Sequence, residues 1–287
     1  MFIKFLWTLE TSVKIMNFKK PLTNVLLPGL AFVLVALLAA SCSTCCKRCC
    51  APPNTLTAQE KAGGWTLLWD GRTMTGWRSP KNDGFPTRSW RINDGVLTVV
   101  SSGDANAESR SGGDIITTEC YSNFELKADF MITPGCNSGI KIFVQPNISP
   151  IDKKTGKPTA VGSAIGLEYQ ILDDGHHPDA KLGRNGDRKL GALYDLFPCD
   201  PNKIVHPPGQ WNHARIISRG THVEHWLNGH KILAYDRGSP AFREAVALSK
   251  FRNIPGFGEW PEGHILLQEH GSEVSFRNIK IHVLPAN

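Results

Sequence analysis

Two short stretches of this chain carry acidic, amide and imidazole side chains at a spacing that could serve chemistry. In the stretch GLEYQILDD, a β-strand would place Glu168 and Gln170 on one face, because side chains two residues apart share a face. In the stretch ILLQEH, Gln268 and His270 share a face in the same way. Such polar groups are costly on an apolar strand unless their face is wet or occupied. The two stretches therefore predict one shared ligand-binding surface.

The acid and the imidazole on this surface are candidates for catalysis. A carboxylate on a partly apolar strand, such as Glu168, suits proton abstraction or metal binding. A structural pair with Arg277, itself a candidate substrate contact, is the alternative for Glu168. His270 could supply an acid or a ligand, or could be a structural histidine, so Glu168 and His270 are also the candidate ligands of a divalent metal ion. Lys250 follows a predicted helix and could reach a carbonyl oxygen, although lysines there commonly offset the helix dipole.

Several further residues are candidates for binding a substrate. The amides of Gln170 and Gln268 lie on the predicted surface, and Asn137 could bind a sugar hydroxyl or simply cap a turn. Asp173 could line the rim of the site or lie in a solvated turn. Trp260 lies in a Gly- and Pro-containing loop, where its ring could stack on a sugar.

Residues 1–41 have the pattern of a bacterial lipoprotein signal peptide. A basic start at Met16, the better candidate for the true start, is followed by an apolar run, and small residues precede Cys42. An uncleaved membrane anchor is the alternative, but the apolar run is short for a membrane span. The sequence therefore predicts a protein of the bacterial cell envelope, periplasmic or on the outer-membrane surface, with lipid on Cys42 as its anchor.

The net charge and the positions of the cysteines narrow the range of possible functions. The formal net charge is +6, and removal of residues 1–41, with their four lysines and one glutamate, leaves +3. A charge this small argues against nucleic acid as a partner. Residues 42–63 are predicted to form a Cys-rich tether. Their C-x-x-C spacings could suggest a zinc site, but no second pair of Cys or His ligands follows nearby. One disulfide among Cys120, Cys136 and Cys199 is compatible with the sequence.

Residues 64–284 predict a single all-β domain. Many short strands alternate with turn signals, as in the hairpin around Asn93-Asp94-Gly95, and only Phe242–Ser249 has the pattern of a helix. This pattern is typical of an antiparallel β-sandwich or jelly roll. No repeat of fixed period is present, which argues against propellers and solenoids.

Six motifs of this domain together resemble the 3-keto-disaccharide hydrolase family. They occur in the family's order and cover essentially all of residues 64–284. The motifs are Trp69-Asp70-Gly71 with Gly76-Trp77, Asn137-Ser138-Gly139-Ile140, Gly166-x-Glu168-Tyr169-Gln170-Ile171-x-Asp173, Trp211-Asn212, Leu227-Asn228-Gly229, and Gly263-x-Ile265-x-Leu267-Gln268-x-His270-Gly271 with Phe276-Arg277-Asn278-Ile279.

The resemblance implies a concanavalin A-like sandwich and an enzyme that cleaves glycosides oxidised to a ketone at C3. Such a ketone acidifies the C2 hydrogen, so a base can remove it and the C1 substituent can leave by β-elimination. We expect Glu168 as base or metal ligand, His270 as acid or ligand, and Lys250 or a divalent cation at the enolate. The central stretch also looks like the acid-rich strand of retaining glucanases, but Gln170 replaces the middle acid, which disfavours direct two-carboxylate hydrolysis. A carbohydrate-binding module without catalysis is the main alternative, and a structural surface protein is a third.

Overall fold

The chain folds as two antiparallel β-sheets with little helix. The structure is a computed structural model that describes residues 51–101, 113–159 and 162–285. The strands are, in chain order, β1 Trp65–Leu67, β2 Trp77–Arg78, β3 Trp90–Asn93, β4 Val96–Val99, β5 Ile115–Thr117, β6 Phe124–Ile132, β7 Asn137–Gln145, β8 Ile165–Leu172, β9 Trp211–Arg219, β10 His222–Leu227, β11 His230–Asp236, β12 His264–Leu267 and β13 Val274–Val283.

The two sheets differ in size and in the strands that form them. The larger sheet has eight strands in the order β11-β10-β9-β6-β13-β4-β3, with β1 paired to β13. The smaller sheet has five strands in the order β2-β5-β12-β7-β8. All pairs are antiparallel, which confirms the predicted all-β sandwich of the concanavalin A-like kind.

Alternating side chains build the core between the sheets. Along β6, Phe124, Leu126 and Phe130 are fully buried, whereas Glu125 and Asp129 are half-buried on the outer face. Along β8, Tyr169 and Ile171 join the same core cluster. Because neighbours on a strand point to opposite faces, the other residues of β8 point away from the core. These outward residues are also buried, so the outer face of the smaller sheet is itself covered.

Two short α-helices lie in the described part of the chain, α1 (Ala58–Ala62) and α2 (Pro240–Leu248). The predicted helix Phe242–Ser249 corresponds to α2, which begins two residues earlier because Ser239 caps it and Pro240 occupies its first turn. A 3-10 helix spans Pro178–Lys181 within the long segment that follows β8.

The end of the predicted tether is folded onto the sandwich. The side chain of Asn54 accepts a hydrogen bond from the backbone of Asn278 at 2.8 Å, and the Asn54 backbone donates to the Asn278 side chain at 2.6 Å. Thr57 and Glu60 form a capping box on α1, and Glu60 pairs with Lys280. The structured domain therefore begins before residue 64, because these polar groups find partners on β13.

Three other expectations concern cysteines and the membrane. Cys120, Cys136 and Cys199 are all free thiols, so no disulfide joins these three. Cys42 and the signal segment lie outside the described residues. Within the described ranges, no helix has both the length and the apolar character needed to cross a membrane.

Candidate functional site

A cavity of about 350 Å³ opens on the outer face of the smaller sheet. Its floor is formed by side chains of β7, β8 and the segment that begins with β12. Its walls are formed by two loops, which contribute Pro150, Phe251 and Ile254. The loops are joined by a hydrogen bond from the Ile151 N–H to the Asn253 carbonyl at 3.2 Å. Of the predicted site residues, the cavity brings together Glu168, Gln268, Lys250 and His270.

Strand register explains why the floor residues meet. Lys141 on β7 lies opposite Glu168 on β8, and Gly139 lies opposite Gln170. On the other side of β7, the Gln268 N–H donates to the Gly139 carbonyl at 2.9 Å. Paired residues of an antiparallel sheet project to the same face, so these five residues share the outer face. The predicted co-location of Glu168, Gln170 and Gln268 is what this register produces.

Gly139 makes room for the carboxylate at the centre of the floor. A Cβ atom at this position would lie 2.6 Å from Glu168 Oε1 and 2.9 Å from Glu168 Cγ. Both distances are closer than real side-chain carbons allow. The Glu168 side chain therefore lies across the Gly139 backbone, where any larger residue would displace it.

Lys141 is the charged partner of Glu168. Its ammonium lies 3.6 Å from Glu168 Oε2, and both side chains are less than a tenth exposed. The same ammonium donates to Ser163 Oγ at 2.6 Å and to the Ala164 carbonyl at 3.2 Å. The Glu168 carboxylate therefore lies at the bottom of the cavity with a firmly held cation beside it.

A second carboxylate supports Lys141 from behind. Ser163 Oγ donates to Asp114 Oδ2 at 2.5 Å, and Asp114 Oδ1 accepts from the Glu269 N–H at 3.0 Å. Burial raises the pKa of Asp114, and the nearby Lys141 ammonium and the Ser163 hydrogen bond oppose this rise. Asp114, Ser163, Lys141 and Glu168 thus form a continuous polar chain that ends in the cavity. Lys141 lies between the two carboxylates.

Lys250 has different surroundings from Lys141, although both line the cavity. Its side chain is exposed, and its ammonium lies 4.2 Å from the centre of the Tyr194 ring and 5.2 Å from that of Phe251. Loss of solvation lowers the pKa of Lys250, and Lys141 lowers it further, whereas the Glu168 and Asp195 carboxylates oppose the shift. Among the residues that the structure describes, the Lys250 ammonium makes no ion pair.

The long segment after β8 fixes this lysine in place. Asp195 Oδ2 accepts a hydrogen bond from the Lys250 backbone N–H at 2.8 Å. Arg188 bridges Asp195 at 2.7 Å and Asp179 at 2.9 Å, and Tyr194 donates its hydroxyl to Asp179 at 2.9 Å. The segment therefore acts as a scaffold beneath one wall of the cavity.

Several acceptors at this face have no hydrogen-bond partner. Buried atoms without one include Asn137 Oδ1, Gln170 Oε1, Gln268 Oε1 and His270 Nδ1. Gln268 and His270 line the cavity, so their unpaired atoms face the space that a ligand would enter. Buried polar atoms are normally paired, so these two groups indicate a surface built for a polar ligand. Gln170 and Asn137 do not line the cavity and are buried, with the Gln170 amide nitrogen 3.5 Å from the Arg188 carbonyl.

Three predicted substrate contacts, Asp173, Trp260 and Arg277, lie away from the cavity. Asp173 forms the turn after β8, accepting from Gly135 N–H at 2.8 Å and from the His176 ring at 2.8 Å. Trp260 packs edge-on against Phe257, with ring centres 5.9 Å apart.

Arg277 also lies elsewhere, because it belongs to the larger sheet. It bonds to Asp129 at 3.3 Å and stacks over Trp211 at 4.0 Å. The alternative that Arg277 is the structural partner of Glu168 is therefore wrong, since Lys141 has that role.

The described residues contain no conventional set of ligands for the metal ion that the sequence suggested. Across residues 51–101, 113–159 and 162–285, no group of three or more His, Cys, Asp or Glu side chains is placed to hold a metal ion. The charged group beside Glu168 is the Lys141 ammonium.

Three residues of the site are missing from the sequence interpretation, namely Lys141, Asp114 and Ser163. Lys141 stands between Ile140 and Ile142 on a strand whose other residues are mostly apolar, and this signal could have identified it. Asp114 directly precedes β5, which also has an apolar sequence. Ser163 comes from a loop, where sequence offers no comparable signal.

Comparisons with known proteins agree with this architecture. Residues 64–282 match the family model described as 3-keto-alpha-glucoside-1,2-lyase-like domain. A protein of Bacteroides thetaiotaomicron named 3-keto-disaccharide hydrolase is 33% identical over 246 residues, which span 80% of this chain and 82% of the relative. A crystal structure of a candidate glycosyl hydrolase from Parabacteroides distasonis is 32% identical, with a TM-score of 0.66 over 82% of this chain and all of that one. A second such structure from the same organism is 31% identical, with a TM-score of 0.56 over 77% of this chain and 99% of that one. The chain therefore belongs to the 3-keto-disaccharide hydrolase family.

Proposed function

We propose that this protein is an enzyme that cleaves 3-keto-disaccharides and related 3-keto-glycosides in the cavity of the smaller sheet. The name of the Bacteroides thetaiotaomicron relative supports the substrate class. The observation that carries the proposal is the placement of the Glu168 carboxylate in a cavity that also contains the Lys250 ammonium and the His270 ring. These are the three kinds of group that removal of a proton next to a ketone requires.

The chemistry follows from the ketone at C3 of the sugar. The carbonyl acidifies the hydrogen on C2, so a base removes it and the electron pair moves to the C3 oxygen as an enolate. Collapse of the enolate breaks the bond from C1 to its oxygen substituent, which leaves with a proton as an alcohol or a second sugar. Addition of water across the new C1–C2 double bond gives the free 3-keto sugar. Elimination followed by hydration is then a net hydrolysis.

Each cavity residue has a role in this scheme. Glu168, paired with Lys141, accepts the C2 proton, and Lys250 acts at the C3 carbonyl, where negative charge develops. His270 transfers a proton to the leaving oxygen. The unpaired amide oxygen of Gln268 accepts a hydrogen bond from a sugar hydroxyl. The aromatic and aliphatic wall, including Phe251 and Ile254, excludes water from the carbanion-like intermediate.

The test is turnover of an oxidised glycoside compared with its unoxidised parent. The full chain is incubated with 3-keto-lactose or an aryl 3-keto-glucoside, and released sugar or phenol is measured. We expect release only from the ketone, loss of release in Glu168→Gln, and normal release in Gln145→Met. Gln145 is a suitable control because it lies on β7 but bonds to the Glu262 carbonyl. Binding of the oxidised glycosides without turnover would instead support a carbohydrate-binding module.

We also propose that the enzyme acts in the bacterial cell envelope, attached by lipid at Cys42. The support is the sequence pattern of residues 1–42. Metabolic labelling with a fatty-acid analogue should label the protein in its native host, and Cys42→Ala should abolish the label. Labelling that persists in Cys42→Ala would remove the anchor proposal.

A further inference from the structure

The two lysines of the cavity are chemically unequal. Lys141 is buried, pairs with Glu168 and donates to Ser163 and Ala164. Lys250 is exposed to the cavity and makes no ion pair among the described residues. Its position is nevertheless fixed, because its backbone bonds to Asp195. One lysine is therefore committed to a structural ion pair, whereas the other presents its amine to whatever enters the cavity.

The surroundings of Lys250 suit a nucleophile. Lysine amines become nucleophilic when they are desolvated or lie near another cation. The Tyr194 and Phe251 rings remove water from one side, and Lys141 supplies a second positive charge in the same cavity. Accordingly the pKa of Lys250 lies below its ordinary value, which increases the neutral amine at any given pH. A ketone is the electrophile with which such an amine forms a reversible covalent bond.

We propose that Lys250 forms an imine with the C3 ketone of the substrate, so that elimination proceeds through a covalent intermediate on Lys250 Nζ. The inference rests on the proposed function, because the ketone comes from the 3-keto sugar. It goes beyond charge stabilisation at the C3 oxygen, since Lys250 would form and break bonds.

The steps balance without any oxidant or metal. The Lys250 amine adds to C3, and the carbonyl oxygen takes one proton from the amine and one from solvent and leaves as water, which forms a protonated imine. Glu168 then takes the C2 proton, and the electron pair moves to the imine nitrogen to give an enamine. Return of this pair expels the oxygen on C1, which receives a proton from His270. Water finally attacks the unsaturated imine at C3, which restores the Lys250 amine and releases the enone for hydration.

An iminium is a stronger electron sink than a neutral ketone, so it activates the C2 hydrogen more strongly. Glu168 pairs with Lys141 at 3.6 Å, so its carboxylate shares its interactions with a cation before the substrate enters. Lys250 has no such partner among the described residues and is available to form the iminium. The pairing of Glu168 and the free state of Lys250 are thus complementary features of one site.

Reductive trapping tests the imine directly. The full chain is incubated with 3-keto-1,5-anhydroglucitol, a ketone that lacks an aglycone, together with sodium cyanoborohydride. Peptide mapping by mass spectrometry should find Lys250 heavier by the mass of the ketone minus one oxygen atom. Lys141 is an internal control in the same cavity and should remain unmodified. In Lys250→Arg the cavity adduct should be lost, while far-ultraviolet circular dichroism reports the fold.

Turnover of an aryl 3-keto-glucoside is measured on the same protein sample. An adduct on Lys250 supports the imine. Turnover without an adduct on Lys250, or with labelling confined to surface lysines, overturns the imine and leaves the proposed function intact. An adduct without turnover of any 3-keto-glycoside supports the imine but overturns the cleavage function. If neither adduct nor turnover occurs, both proposals are wrong.

Discussion

The outer faces of the two sheets each carry a cluster of charged and polar side chains, and only one of these clusters has unpaired groups. On the larger sheet, Asp129 bonds to His213 at 2.6 Å, to Asn278 at 2.6 Å and to Arg277 at 3.3 Å. On the smaller sheet, Glu168 pairs with Lys141, but the amide oxygen of Gln268, which lines the cavity, has no partner. The first cluster satisfies its own hydrogen bonds, whereas the second leaves an acceptor for a ligand.

A functional face differs from a structural one in more than its residue types. Both clusters contain a carboxylate, a basic residue and an amide, so residue types alone do not separate them. The distinguishing features are a cavity, buried acceptors without partners, and a lysine that makes no ion pair within the described ranges. Unpaired buried groups cost stability, and a fold retains them where a ligand provides the missing partner.

The largest expected effect is the loss of catalysis on removal of the floor carboxylate. Glu168→Gln should lower kcat by roughly 10²- to 10⁴-fold, the usual contribution of a positioned base. The check is initial-rate kinetics on an aryl 3-keto-glucoside. Asp129→Asn, on the other sheet, should leave kcat unchanged. A comparable loss in both variants would abolish the distinction between the two clusters.

Removal of Lys141 should lower the stability of the protein. Lys141→Met leaves a buried carboxylate without its cation, and breaking a buried pair commonly costs roughly 3–5 kcal/mol. Urea unfolding measures the loss. Lys127→Met, at a half-exposed lysine of the larger sheet, is the control and should cost no more than about 1 kcal/mol.

Replacement of a buried, unpaired amide should behave in the opposite way. Gln170→Met removes an acceptor that has no partner, and its amide nitrogen loses only a long contact of 3.5 Å to the Arg188 carbonyl. The ligand-free protein should therefore be no less stable, and could gain about 1 kcal/mol. Thermal unfolding measures this, while KM for the 3-keto-glycoside should not change, because Gln170 does not line the cavity. A marked loss of stability would show that Gln170 is a structural residue.

The smallest effect is expected at the satisfied cluster. The hydrogen bond to Asp129 raises the pKa of His213 above its ordinary value of 6.5. The stabilisation is therefore fully present below pH 6.5 and is lost as pH rises through the raised pKa. His213→Ala should destabilise the protein by less than about 1 kcal/mol at acid pH, because the side chain is half exposed. No difference in unfolding free energy at alkaline pH, and no change in turnover, are expected.

Local alternation made most of the fold predictable. The strand Phe124–Ile132 can be recognised in the sequence, because its apolar and charged residues alternate without interruption. Strand parity also predicted that Glu168 and Gln170 share a face, since that depends only on neighbours in sequence. Helix α1 was missed although Thr57 and Glu60 have the spacing of a capping box, because the helix has only five residues and none of them is buried, so it shows no apolar face.

The parts of the site that escaped prediction depend on which sheet a strand joins. Arg277 alternates with apolar residues much as Glu168 does, but its strand lies in the larger sheet, beyond the reach of Glu168. Lys141 resembles an ordinary outward lysine until the loop carrying Ser163 covers it. Strand order and loop closure are long-range properties, and a single sequence contains little information about either.

The most direct test of the account is the fate of the C2 hydrogen. An aryl 3-keto-glucoside bearing deuterium at C2 is compared with its protonated form, with wild-type protein and with Glu168→Gln. We expect slower turnover of the deuterated substrate and exchange of its deuterium with solvent. Both effects should depend on Glu168. Equal rates, with deuterium retained in the released sugar, would show that the bond to C1 breaks without removal of the C2 proton and would contradict the central claim.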